Sequence, residues 1–99
     1  MINLKEITEE LSIPENKLLK EALKTYLRKK LLEIESEIFR LHKKWNVSSI
    51  EELDKLVREG KISEEEAHDD YFLLDNLEAE KEKLTRVLKK ENSDGENNN

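Results

Sequence analysis

The sequence predicts an all-α protein in which a long helix and a returning helix form an antiparallel helical hairpin. A short N-terminal helix and a short helix at the bend complete it. Three observations predict this class. The chain of 99 residues holds one Pro and two Gly, too few to make the tight turns of a sandwich or barrel. Charged residues make up 42% and hydrophobic residues 35%, the balance of long exposed helices rather than of a large core. Finally, Leu27, Leu31, Ile34, Ile38, Leu41 and Trp45 are spaced 4, 3, 4, 3 and 4 apart, which is the a/d seam of a heptad repeat.

Taken in chain order, Leu4, Ile7 and Leu11 at spacings of three and four predict a short amphipathic helix over residues 3–11. Pro14 ends it, because it drives Ile13 out of the helical region and suits the first turn of the next helix. Nothing then interrupts a helix over 15–45. Upstream of the seam the apolar stripe shifts to Leu19, Ala22, Leu23 and Tyr26, while Leu32 and Phe39 lie seven apart on a separate line. One neighbouring helix cannot cover both lines, whereas two can.

Asn46, Val47 and Ser48 break the run, and Ser48 or Ser49 ahead of Glu51 and Glu52 is the pattern of an N-cap. Ile50, Leu53, Leu56 and Val57 predict a helix over 49–59, closed by Gly60 in the left-handed conformation. Ser63 and Glu66 form a capping box that opens the last helix, 64–90. Ala67, Tyr71, Leu74, Leu77, Leu84 and Leu88 face one side of it, interrupted by Lys81. Residues 92–99, NSDGENNN, contain nothing apolar to bury. They are expected to be a disordered polar tail outside a single domain of residues 1–91.

Composition excludes several kinds of chemistry. With no Cys there are no disulfides, Cys-based zinc sites or thiol nucleophiles. Gly60 and Gly95 stand alone, so no phosphate-cradling loop exists, and no Ser follows a strand to make a nucleophile elbow. His42 has Lys43 and Lys44 beside it, poor neighbours for a metal ion. Glu64 and His68 have the i, i+4 spacing to share a divalent ion, but the helix dipole already accounts for acids in a first turn. A non-enzymatic protein without cofactor or metal is the expectation. No apolar window is long enough for a membrane span or a secretory signal, so no membrane contact is expected and the cytoplasm is the expected location.

Two surfaces invite a partner. In Tyr71-Phe72-Leu73-Leu74, four consecutive apolar residues point all round a helix at ~100° steps. With Tyr71 and Leu74 in the hairpin, Phe72 must face outward. Together with the off-seam Leu32 and Phe39, this predicts an apolar patch of the kind that monomers rarely expose. Leu32, Phe39, Asp69, Asp70, Tyr71, Phe72 and Leu73 are the candidate protein interface. The second surface is basic: Lys20, Lys24 and Arg28, with Lys17, line one side of the long helix. Charge divides along the chain. Residues 1–50 carry ten Lys/Arg against eight Asp/Glu, and residues 51–99 carry eight against sixteen. The acidic half suits a basic protein partner.

Residues 4–23, LKEITEELSIPENKLLKEAL, resemble a helix-turn-helix element, with Ile7, Leu11, Ile13 and Leu18 at its apolar positions and Ser12 in place of the usual turn glycine. Residues 19–31, LKEALKTYLRKKL, resemble the second helix of ribbon–helix–helix antitoxins. Residues 41–60, LHKKWNVSSIEELDKLVREG, followed by DDYFLLDNLE at 69–78, resemble small prokaryotic antitoxin-like proteins. That resemblance implies a regulator of a toxin–antitoxin module that wraps a toxin, often a ribonuclease, with its helices; the two-sided apolar pattern adds the expectation of a homodimer, and the acidic half that of a basic, toxin-like protein partner. Such regulators often bind their own promoter DNA too; the nucleic-acid candidates, read from the basic stripe beside the helix-turn-helix-like segment, are Lys17, Lys20, Lys24 and Arg28. The chain departs from the ribbon–helix–helix pattern in lacking a clear N-terminal strand.

Overall fold

The structure, a computed structural model, describes the backbone of residues 3–97 and the side chains of residues 3–91. These residues form four helices, α1 (Leu4–Leu11), α2 (Glu15–Trp45), α3 (Ile50–Arg58) and α4 (Glu64–Asn97). All of the secondary structure described is helical.

Local chemistry sets each helix end. Asn3 caps α1 by accepting from the Glu6 N–H, and Ser49 and Ser63 do the same for the N–H groups of Glu52 and Glu66. Ser48 is not the cap of α3. Its N–H and hydroxyl both donate to the Glu52 carboxylate, which holds that carboxyl below the usual carboxylate range. The first three helices all end through a residue of positive φ: Ser12 (55°), Asn46 (55°) and Gly60 (76°). In each case the next residue's N–H reaches back to a carbonyl five residues earlier: Ile13 to Thr8, Val47 to His42 and Lys61 to Leu56. This is the Schellman closure.

α4 runs beyond the boundary near residue 90 that apolar spacing predicts, to Asn97. Lys89, Lys90 and Glu91 are good helix formers and carry α4 past residue 90, whereas Asn92, Ser93, Asp94 and Gly95 are poor ones and do not explain its further extension. The side chains of the polar tail expected over 92–99 lie outside the described residues.

α4 packs along α2 and against α3, while α1 touches α2. The core is concentrated where three helices meet. Ile34, Ile38 and Leu41 of α2, Val47 of the connection, Leu53 of α3, and Ala67 and Leu74 of α4 form one buried cluster. Leu41, Leu53 and Leu74 are completely inaccessible to solvent. Trp45, Ile62, Tyr71, Leu77 and Leu84 pack around this cluster, partly buried. Leu27 and Leu88 extend the α2–α4 contact as buried residues toward the far end. Lys81, which breaks the stripe of α4, is half-buried.

The molecule measures 62 × 33 × 16 Å. Two helices side by side, with axes ~8–10 Å apart, already fill the shortest dimension. Its radius of gyration of 19.7 Å is well above the ~13 Å of a compact chain this long. Every helix therefore keeps a face in solvent. The second apolar line of α2 is not covered: Leu32 and Phe39 are 66% and 62% exposed. Both stay in solvent because α3 is short and packs mainly on α4 rather than along this line of α2.

Candidate protein-binding surface

The connection from α3 to α4 builds a groove. Gly60 reverses the chain, Ser63 restarts it as a helix, and the two helices diverge around an open cleft of ≈ 390 Å³. Val57, Ala67, Tyr71 and Phe72 supply its apolar lining, and Asp54, Arg58, Glu64 and His68 its polar rim. Arg58 is already engaged by Asp54 at 2.9 Å. The unpaired charge at the mouth is therefore negative, from Glu64, with Glu65 and Asp69 exposed nearby on α4. Phe72 stands at the edge, 52% exposed. Its ring makes edge-to-face contacts with His68 at 4.9 Å and Tyr71 at 5.7 Å between centroids, which orient it without burying it.

The seven candidate interface residues separate into two groups. Leu32, Phe39, Asp69, Phe72 and Leu73 are exposed. Tyr71 is half-buried against the core. Asp70 is occupied internally, its Oδ2 accepting from Trp45 Nε1 at 2.9 Å and pairing with Lys44 Nζ at 2.6 Å. The Lys44 hydrogen bond, with help from Trp45, holds the Asp70 carboxyl below its ordinary range, and burial only partly opposes this. Asp70 is thus the clamp between α2 and α4. Its partners are 25 and 26 residues away in sequence, a separation at which periodicity carries no signal.

Leu32 and Phe39 lie on a different side of the molecule's long helix and do not line the groove. Lys43 covers the Phe39 ring, with its Nζ 5.3 Å from the centroid. Lys17, Lys20, Lys24 and Arg28 make no ion pairs among the described residues, although Lys20 and Lys24 are half-buried. His42 turns inward. Its Nε2 is buried without a hydrogen-bond partner, 3.9 Å from the Glu78 carboxylate. Among the described residues no group of three or more His, Asp or Glu is placed to hold a metal ion. No described helix is long and apolar enough to cross a membrane.

A family model described as "Uncharacterized protein MJ0235 family" matches residues 1–95. The chain belongs to the MJ0235 family. A relative within it, the protein MJ0235 of Methanocaldococcus jannaschii, is 36% identical over 73 residues, which cover 74% of this chain and 85% of the relative. The family match includes all of α1, α2 and α3, the groove, and α4 as far as residue 95. No solved structure matches the chain.

Proposed function

We propose that this MJ0235-family member is a non-enzymatic, cytoplasmic, partner-binding protein: an antiparallel helical hairpin, with α3 at its bend, whose α3/α4 groove receives a basic protein partner. The observation that carries this reading is Phe72, a large aromatic held half-exposed by its neighbours at the mouth of an apolar groove with an acidic rim. Aromatic anchors seated beside a shallow pocket are the usual energetic centre of a protein interface. Carboxylates around the anchor favour a partner of opposite charge and speed its approach. The antitoxin role rests on the resemblance of residues 19–31 and 41–78. Its chemistry agrees with the groove, since an acidic face that covers a basic ribonuclease-type toxin would neutralise it by occlusion.

Co-expression with the product of the adjacent gene tests this. The two should co-purify, growth arrest by that product should be relieved, and Phe72→Ala should weaken the complex by at least about tenfold. Failure to co-purify, or a complex indifferent to Phe72→Ala, removes the groove from the account.

A second reading, promoter DNA binding through residues 4–28, has one observation in its favour. Ser12 adopts the left-handed conformation that the turn glycine of a helix-turn-helix would supply. Binding to upstream promoter DNA should then fall steeply with salt and weaken in Lys17→Ala or Arg28→Ala. Salt-insensitive or absent binding eliminates it.

A further inference from the structure

We propose that the face of the α2/α4 pair marked by Lys44 and Asp70 is the contact surface of a homodimer, on which a second copy of this chain packs antiparallel. This face is distinct from the α3/α4 groove, and the proposal stands without it.

The α2 seam puts Leu27, Ile34 and Leu41 on one heptad line and Leu31, Ile38 and Trp45 on the other. In the same repeat, Leu23 and Lys44 flank the Leu27 line, with Leu19 and Tyr26 one position further out. These apolar residues therefore share the flank of Lys44, whereas His42 and Phe39 occupy the opposite one. Leu19, Leu23 and Tyr26 are all exposed. On α4, Leu73, Leu77 and Leu84 each fall within about 60° of Asp70, at ~100° per residue. The Lys44–Asp70 ion pair brings the two flanks to one side of the molecule. Leu19, Leu23 and Tyr26 near one end and exposed Leu73 near the other are two apolar patches, linked on α4 by the outer edges of half-buried Leu77 and Leu84 and separated on α2 by the charged pairs Lys30–Glu33 and Glu37–Arg40. Two such patches at the ends of a polar, charge-paired middle suit an interface made twice about a two-fold axis.

Charge selects the occupant. Residues 15–31 carry six Lys/Arg against two Glu, while residues 64–78 carry seven carboxylates and no Lys or Arg. Trp45 meets Asp70, whereas His42, earlier in α2, meets Glu78, later in α4. The helices thus run in opposite senses, and the basic stretch and the acidic stretch lie at opposite ends of a molecule 62 Å long. A two-fold axis through the middle of this face lays the basic end of each copy over the acidic end of the other. The same operation sets Leu23 of one copy near Leu73 of the second, twice by symmetry. A parallel arrangement stacks like charge on like charge, which costs both affinity and rate of association. A second copy carries the complementary pattern by construction.

Sedimentation of the full chain should give a species of twice 11.7 kDa, weakened by added salt. The double variant Leu23→Glu/Tyr26→Glu should weaken self-association at least about tenfold, while Phe39→Glu, on the other flank, should leave it unchanged. Circular dichroism checks that helix content is retained. Orientation is read independently of these variants. Because the chain has no Cys, Leu23→Cys and Leu73→Cys chains can be mixed and oxidised, and a 23–73 disulfide should dominate over 23–23. A monomer at all micromolar concentrations, a folded double variant that still dimerises, or dominant 23–23 cross-linking overturns the proposal.

Discussion

Leu74 and Phe72 stand two residues apart on α4 and have opposite assignments, so truncating each in turn is the sharpest test of how the molecule is divided between core and surface. Leu74 is completely inaccessible and packs in the cluster with Leu41 and Leu53. Leu→Ala at a buried site costs about 2–5 kcal/mol, depending on how far the surroundings close around the cavity. This fold is only 16 Å thick, so few neighbours surround the cavity and the lower half of that range applies, about 2–3 kcal/mol. For a chain of this size each kcal/mol moves the midpoint by ~4–8 °C, which gives a fall in Tm of roughly 10–20 °C. A small domain has only about 5–10 kcal/mol in total, so the variant should remain folded at room temperature. Phe72 is 52% exposed and touches His68 and Tyr71 only edge to face. Its truncation should cost under about 1 kcal/mol of stability while removing the anchor of the groove. The assay is thermal and urea unfolding of both variants followed by far-ultraviolet circular dichroism. If Phe72→Ala destabilises as much as Leu74→Ala, Phe72 belongs to the core and the groove is not a free surface. If Leu74→Ala costs less than about 1 kcal/mol, the three-helix cluster does not hold the fold together.

Two further outcomes follow from the same geometry. Asp70→Ala leaves the Trp45 indole N–H without its acceptor and should cost about 1–2 kcal/mol, to which the half-exposed Lys44 pair adds little. Because the Asp70 carboxyl is depressed in the folded state, chiefly by Lys44, the charge-dependent part of its contribution is complete above about pH 5 and is lost as pH falls through about 4 and below, while the neutral acid still accepts from Trp45. The gap between wild type and variant in urea titrations should therefore narrow in acid, and emission from the one Trp in the chain should shift on substitution at neutral pH. Gly60→Ala meets no atom within 4 Å of the added carbon at φ +76°, so the cost is conformational alone, about 1 kcal/mol. A neutral result in urea unfolding contradicts the left-handed cap, and a loss of several kcal/mol contradicts the open space around it.

The helical class and the packing of a long helix on the C-terminal one were legible in the sequence because both depend on local rules. Helix periodicity at Leu27 to Trp45, the serines at 49 and 63 that precede acids, and Gly60 each act within one or two turns. Phe72 was legible as outward-facing for the same reason, since four apolar residues in a row cannot all point inward. Local rules stop at the contact between helices. Asp70 has the same acidic character as Asp69 and reads as surface, yet tertiary packing sets it against Trp45 and Lys44. Leu32 and Phe39 read as sharing one exposed patch with Phe72, and only the placement of the short α3 against α4 shows that they lie away from its groove. The groove at Phe72 likewise exists only because the turn at Gly60 sets α3 and α4 at an angle that leaves space between Val57 and Tyr71. Residue type and spacing thus determined which faces are apolar. Which of those faces meet, and which remain for another molecule, depends on the relative placement of helices, and that is decided by contacts between residues far apart in the chain.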